Sequence, residues 1–120
     1  MESNQALINK YPWLDIGNDE YTLIDLLPVG WYDLILDLCV ELRNTLPSYL
    51  VDKYKVAEAK EKYCMLRWYD YIDDFGEMPE TITDIVCKYE EESKKICMIC
   101  GAPKPKDQLF CDICMESHNI

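Results

Sequence analysis

The chain has 120 residues, 49% of them apolar, and a formal charge of −11 from 23 acids against 12 bases. That apolar content suffices for one core, so one domain with an appendage is expected. A chain this acidic is repelled by nucleic-acid phosphates and by anionic lipid. Its apolar steps, such as Leu34-Ile35-Leu36 between Asp33 and Asp37, are far too short to cross a bilayer, so direct nucleic-acid and membrane contacts are disfavoured.

In chain order, residues 3–11 can form a short helix stopped by Pro12, and a loop or short strand follows through Asp25. Over residues 29–44, Trp31, Leu34, Ile35, Leu38 and Leu42 recur at helical spacing, with Asp33, Asp37, Glu41 and Arg43 off the stripe. Pro28 suits the entry, and Asn44 with Pro47 marks the exit. Residues 54–72 carry two conflicting signals. Ala57-Glu58-Ala59-Lys60-Glu61-Lys62 has good helix propensity, whereas Leu66-Arg67-Trp68-Tyr69-Asp70-Tyr71-Ile72 is rich in strand formers, so helix and hairpin both stay open. A last long helix is predicted over 81–95, with Ile82, Ile85, Val86 and Tyr89 on its apolar face. Thr81 with Asp84 reads as a variant capping box. The apolar stripes of the two long helices should pack on each other with Leu66 and Trp68 between them. Together these elements make residues 1–95 an acidic, mainly helical core of the α+β class, with two or three helices and a middle segment for which the resemblance given below implies a short β-hairpin.

Residues 96–120 are a different kind of module. Cys97-Met98-Ile99-Cys100 and Cys111-Asp112-Ile113-Cys114 form two Cys-x-x-Cys pairs with ten residues between them. Each pair can present both sulfurs to one ion, and two pairs complete a tetrahedron of thiolates, the pattern of a zinc ribbon or knuckle. Four Cys ligands leave no open coordination position, so such a Zn2+ is structural. Gly101 after the first pair can take φ > 0 and aim backbone N–H groups at a sulfur. Met115 holds that place after the second pair, so that turn must be made another way. His118, four residues past Cys114, is a further candidate ligand, although at a chain end it is expected to sit in a frayed tail. Disulfides are the competing use of these cysteines. The chain has seven, an odd number. Residues 1–10 are polar, with only Ala6-Leu7-Ile8 as an apolar step, and do not read as a secretory leader. A reduced, cytoplasmic setting is therefore expected, with Cys39, Cys64 and Cys87 as small buried hydrophobes.

Charge is unevenly spread. Residues 11–42 hold seven acids and no base, and residues 68–92 hold nine acids against Lys88 alone, while the bases concentrate between Arg43 and Arg67. Binding Zn2+ makes the total more negative still, because four thiolates outweigh one dication. Lys94, Lys95, Lys104 and Lys106 flank the cysteines and can offset that charge. Asp70, Asp73, Asp74, Glu77, Glu80 and Asp84 supply carboxylates repeatedly over one short segment, a candidate face for a basic protein surface. Carboxylates held before a cluster of Arg can stand in for phosphates. The plainer reading is that they keep a small domain soluble.

Leu27-Pro28-Val29-Gly30-Trp31-Tyr32-Asp33-Leu34-Ile35, then Lys60-Glu61-Lys62-Tyr63-Cys64-Met65-Leu66-Arg67-Trp68-Tyr69, then Glu91-Glu92-Ser93 leading into Cys97-Met98-Ile99-Cys100-Gly101, resemble a family of small uncharacterised phage and prophage proteins. In that family Gly-Trp-Phe-Asp opens a helix, Lys-Glu-Lys-Phe-Gly-Gly-Leu-Arg-Phe-Tyr follows, and a helix leads into paired Cys-x-x-Cys. The likeness covers roughly residues 27–114 in patches. It implies strand–turn–strand for the middle segment, and a phage origin with a host-cell cytoplasmic setting. It implies no chemistry. Cys64-Met65 stand where the family has two glycines, so a tight turn with φ > 0 there would be strained.

Catalytic groups are sparse: one His near the end, no Gly-rich phosphate loop and no nucleophile elbow. Cys64, between Lys62 and Arg67, could be a thiolate of lowered pKa but fits a buried small residue better. The chain is therefore read as a binding protein and not an enzyme. The first reading is an acidic phage-type zinc-binding interaction protein that binds, and in doing so inhibits, a basic host protein such as a nucleic-acid-binding defence or replication factor. The alternative is a zinc-ribbon adaptor contacting nucleic acid or transcription machinery.

Overall fold

A computed structural model describes residues 3–118. Helix α1 (Asn4–Lys10) is capped by Ser3, whose Oγ accepts from the Ala6 N–H at 3.2 Å, and it buries Leu7 against the core. Pro12 ends it. The next stretch is neither a strand nor a plain loop: it makes 3₁₀ turns at Pro12–Leu14 and Leu23–Leu26 that bury Trp13, Leu14, Leu23 and Ile24. The second turn is fixed by Asp25, whose carboxylate accepts from the Thr22 N–H at 2.7 Å.

A third such turn, Val29–Trp31, delays the next helix beyond the expected start at Val29. Helix α2 (Tyr32–Thr45) then buries Leu34, Ile35, Leu38, Cys39 and Leu42, the stripe its periodicity predicts. Of the three lone cysteines only Cys39 is a fully buried hydrophobe, accepting from Trp13 Nε1 at 3.4 Å. Burial pushes its thiol up to about 12. Cys64 is half-buried and Cys87 is exposed, contrary to expectation, because one lies in a turn and the other on the outer side of the last long helix.

The ambiguous middle segment is a hairpin. Strands β1 (Tyr54–Lys62) and β2 (Met65–Ile72) pair antiparallel from Tyr54 opposite Ile72 to Lys62 opposite Met65, with a bulge at Ala57. The turn falls on Tyr63 and Cys64, one residue earlier than the family's glycines would place it. Both adopt positive φ, 54° and 67°, the twist a two-residue hairpin turn requires. Neither residue favours that region, and the Glu61 carboxylate offsets part of the cost by accepting from the Cys64 N–H at 2.9 Å. A second pair of left-handed residues, Asp74 and Phe75 at 60° and 59°, turns the chain after β2 and leaves Phe75 fully exposed.

Helix α3 (Glu80–Ser93) lies against both α2 and β2, burying Ile82 and Val86, with Ile85 and Tyr89 half-buried at the margin of the core. Pro79, not Thr81, occupies its N-cap, and no side chain caps it; Thr81 stands inside the first turn. At its other end, side chains close the edge of β2. Ser93 Oγ accepts from the Leu66 N–H at 2.7 Å and donates to the Glu90 carbonyl at 2.5 Å, and the Glu90 carboxylate accepts from the Trp68 N–H at 2.9 Å. Strand N–H groups that would otherwise be orphaned are thereby paired. Inside the core, Trp68 Nε1 donates to the Tyr54 hydroxyl at 2.8 Å, which donates to Asp70 at 2.7 Å, and Trp13 meets the Tyr54 ring edge-on at 5.3 Å. The architecture is α+β and mainly helical, with one hairpin and a C-terminal cysteine cluster.

Replacing the turn pair by Tyr63→Asn with Cys64→Gly, residues at home at positive φ, should stabilise the fold by about 1–2 kcal/mol. A urea unfolding midpoint that does not rise would show that the turn carries no strain.

Candidate metal centre

Each cysteine pair sits on a tight turn, and the two turns are built differently. The first follows α3 after a short descent, in which Ile96 N–H donates to the Ser93 carbonyl at 3.2 Å. Cys97 N–H then donates to the Ala102 carbonyl at 2.8 Å and Gly101 N–H donates to the Cys97 carbonyl at 3.0 Å. Gly101 has φ 78°, the left-handed conformation expected of it. The Ile99 N–H points at Cys97 Sγ at 3.4 Å. In the second turn Cys111 is the N-cap of a short helix, α4 (Asp112–Ser117), that residue patterning did not reveal, and its Sγ accepts from the Cys114 N–H at 3.4 Å. Met115 needs no positive φ because it is already helical. Met98 N–H donates to the Leu109 carbonyl at 3.1 Å and ties the two turns together.

The four ligand atoms, Sγ of Cys97, Cys100, Cys111 and Cys114, all lie within 4.8 Å of one another. Cys100 and Cys111 have their sulfurs 3.6 Å apart. A disulfide needs about 2.05 Å. The edge of a tetrahedron with metal–sulfur bonds of about 2.3 Å is about 3.8 Å. The four cysteines can therefore hold a metal ion. Burial pushes the Cys97 thiol up, but backbone N–H groups of Cys100, Cys111 and Ile99 aimed at its sulfur outweigh that and bring it down to about 6. Burial, and then the neighbouring sulfurs, push Cys114 up to about 12. Cys97 therefore ionises readily while Cys114 resists, and a bound cation favours the thiolate form that ligation requires. His118 is exposed one residue beyond α4, and among the described residues the ligand set brought together is cysteine alone.

Of the lysines flanking the cysteines, Lys104 is buried. Its Nζ donates to the carbonyls of Lys94 and Pro105, so it neutralises the C-terminal end of α3. Lys94 and Lys95 pair with Glu91 and Glu92 at 3.0 and 3.5 Å.

The metal segment is clamped to the core by residues that metal-ligand spacing could not reveal. Gly30 N–H donates to the Met98 carbonyl at 2.8 Å and Trp31 Nε1 donates to the Ile96 carbonyl at 3.1 Å. A Cβ on Gly30 would stand 2.1 Å from the Cys97 carbonyl oxygen, so only glycine permits the approach. The one sequence signal was the Gly30-Trp31 step within the family-like motif.

The six acids of the middle segment are placed differently from one another. Asp70, on β2, is half-buried and accepts from Tyr54; burial raises its pKa and that hydrogen bond partly opposes the rise. Asp73, Asp74 and Glu77 are exposed in the segment between β2 and α3, with Asp74 paired to Lys53 at 3.4 Å. Glu80 and Asp84 are exposed at the start of α3.

Comparison of the chain with protein-family models, with curated proteins and with solved structures finds no match. No helix among the described residues is long and apolar enough to cross a membrane.

Gly30→Ala should force the two backbones apart, costing more than about 2 kcal/mol in unfolding free energy and weakening metal retention against a chelator. A Gly30→Ala protein with wild-type unfolding and chelator resistance would show that the core does not clamp the metal segment.

Proposed function

We propose that the protein is an acidic, zinc-binding interaction protein of phage type, acting by binding a basic host protein surface and inhibiting it, with no catalytic step of its own. The observation that carries this is the exposed carboxylate series after β2. Asp73, Asp74, Glu77, Glu80 and Asp84 all face solvent, and among the described residues only Asp74 has an ion-pair partner. Such carboxylates can occupy the phosphate positions that a cluster of Arg would recognise. Asp70 turns inward to Tyr54 and serves the fold instead.

For the metal, a closed tetrahedral set of four thiolates suits zinc in a structural role, with an iron–sulfur centre the other occupant such chemistry admits. The zinc-ribbon adaptor reading is weaker. Lys104 is buried against α3, and Lys94 and Lys95 are paired with acids, which leaves the exposed Lys106 as the remaining base of the four to meet phosphates.

Metal analysis of protein purified without chelator should find one zinc per chain, and Cys111→Ser should release it while the helical core stays folded. Purified protein with oxidised cysteine pairs, or with iron in place of zinc, would overturn the zinc assignment.

A protein captured from host lysate should be basic, and its association rate should fall as salt rises, because exposed charges are screened beyond about 8 Å at physiological ionic strength. Reversing Asp73, Asp74 and Glu77 to Lys should weaken that complex without disturbing metal content. Tight DNA or RNA binding by the unmodified protein would favour the adaptor, and unaltered capture by the reversed protein would reduce the acids to a solubilising surface.

A further inference from the structure

The seam between the core and the metal segment is clamped at Gly30 but left open beside it. There a groove of about 610 Å³ runs between α2, the end of α3 and the first cysteine turn. Its apolar lining comes from Leu34, Ile96 and Ile99, its aromatic lining from Tyr32 and Tyr89. Asp33, Asp37 and Glu92 supply its charge, and no Lys, Arg or His lines it. Glu92 is held by Lys95, but Asp33 and Asp37 have no cationic partner among the described residues. They stand four residues apart on α2, a like-charge spacing that disfavours an isolated helix. Burial is the main reason the Tyr89 phenol holds its proton more tightly than usual, with its hydrogen bond to Glu41 and the Asp37 charge adding to the effect. Cys100 forms part of the wall, so an ion held by four thiolates would add further negative potential.

We propose that this groove is a docking site for an arginine-bearing segment of a basic protein partner. Each part of the lining matches a part of that side chain. The apolar lining accepts the methylene stem, the Tyr32 ring can stack on a planar guanidinium whereas Lys88 already stands 5.0 Å from the Tyr89 ring centroid, and the Asp33 and Asp37 carboxylates can receive its N–H fork. Lysine offers a compact, strongly hydrated charge and uses the ring and the fork less well. The proposal rests on the reading of a basic protein partner and adds a second place of contact, separate in sequence from the acids after β2.

The test uses the full-length, metal-loaded protein and a short fluorescent arginine-rich peptide, with an otherwise identical lysine peptide as control. Binding is followed by anisotropy at fixed salt. Asp33→Asn with Asp37→Asn should weaken the arginine peptide by about tenfold. Val29→Lys, which places a cation on an exposed residue at the groove's mouth, should weaken it comparably without touching the core. Asp73→Asn with Asp74→Asn and Glu77→Gln should change it by less than about twofold, the scale of exposed charges away from the contact. Loss of binding in this last variant, with none in the groove variants, would overturn the groove while sparing the acidic series as the partner's site. Equal affinity for the lysine peptide would overturn recognition of the guanidinium. Absence of measurable arginine-peptide binding would overturn the groove, and would leave the basic-partner reading to the salt dependence of the captured complex. Unchanged thermal midpoint and metal content in each variant exclude misfolding as the cause.

Discussion

The backbone at Gly30 runs against the carbonyls of Cys97 and Met98, its N–H donating to Met98 at 2.8 Å, and this approach decides where the rest of the metal segment can lie. A tetrahedral thiolate site can order its own loop but does not by itself fix that loop's orientation on a domain. Here orientation comes from the core. Trp31, fully buried, reaches out through Nε1 to the Ile96 carbonyl at 3.1 Å, so the same side chain that anchors the entry to α2 also holds the strand of chain entering Cys97. Gly101 completes the contact from the other side, since a Cβ there would come within 3.0 Å of the Gly30 carbonyl oxygen. Metal site and core are therefore coupled through backbone, where a substitution has little room to relax.

Helix α3 is the second element with two duties. Its apolar face closes the core over α2, and its last turn seals β2 through Glu90 and Ser93. A lone hairpin is marginal in water, and an open edge invites pairing with another chain. Sealing the edge with side chains from a helix lets the hairpin be short and lets its turn be built from Tyr63 and Cys64 despite their positive φ. The helix then has to stop where its side chains meet the strand, and Lys104 accepts burial to neutralise the carbonyls left there.

Legibility in the sequence follows how local each signal is. The stripes of α2 and α3 and the four cysteines were readable because helical periodicity and ligand spacing are short-range patterns. The hairpin was readable only through the family likeness, because Ala57 to Lys62 has helical composition and the bulge at Ala57 breaks the alternation a strand would show. Its turn violates the residue preference by which such turns are recognised. The 3₁₀ turns that bury Trp13, Leu14, Leu23 and Ile24 have no period to detect, and Thr81 resembled a cap only because Pro79, the real cap, contributes no side-chain hydrogen bond. At the site, the ligands were legible but the clamp was not. Whether a glycine is needed for a turn or for a close approach depends on what packs there, and Gly30 meets residues far along the chain.

The distribution of ion pairs separates what the acidity does for folding from what it does at a distance. Lys53, Lys60, Lys88, Lys94 and Lys95 each hold an acid, all with substantial exposure on at least one partner. Pairs of that kind contribute about 0–1 kcal/mol, so pairing the remaining acids would add little stability. Leaving them unpaired therefore costs the fold little, while their summed field extends beyond any single contact and speeds encounter with an opposite charge. A field of one sign steers a partner but does not hold it in register. Holding requires desolvated surface beside the charge, and the groove at the clamp supplies that combination, with Leu34, Ile96 and Ile99 beside Asp33 and Asp37. Because the first cysteine turn forms one wall, the shape of that groove depends on the metal segment staying where Gly30 and Trp31 put it.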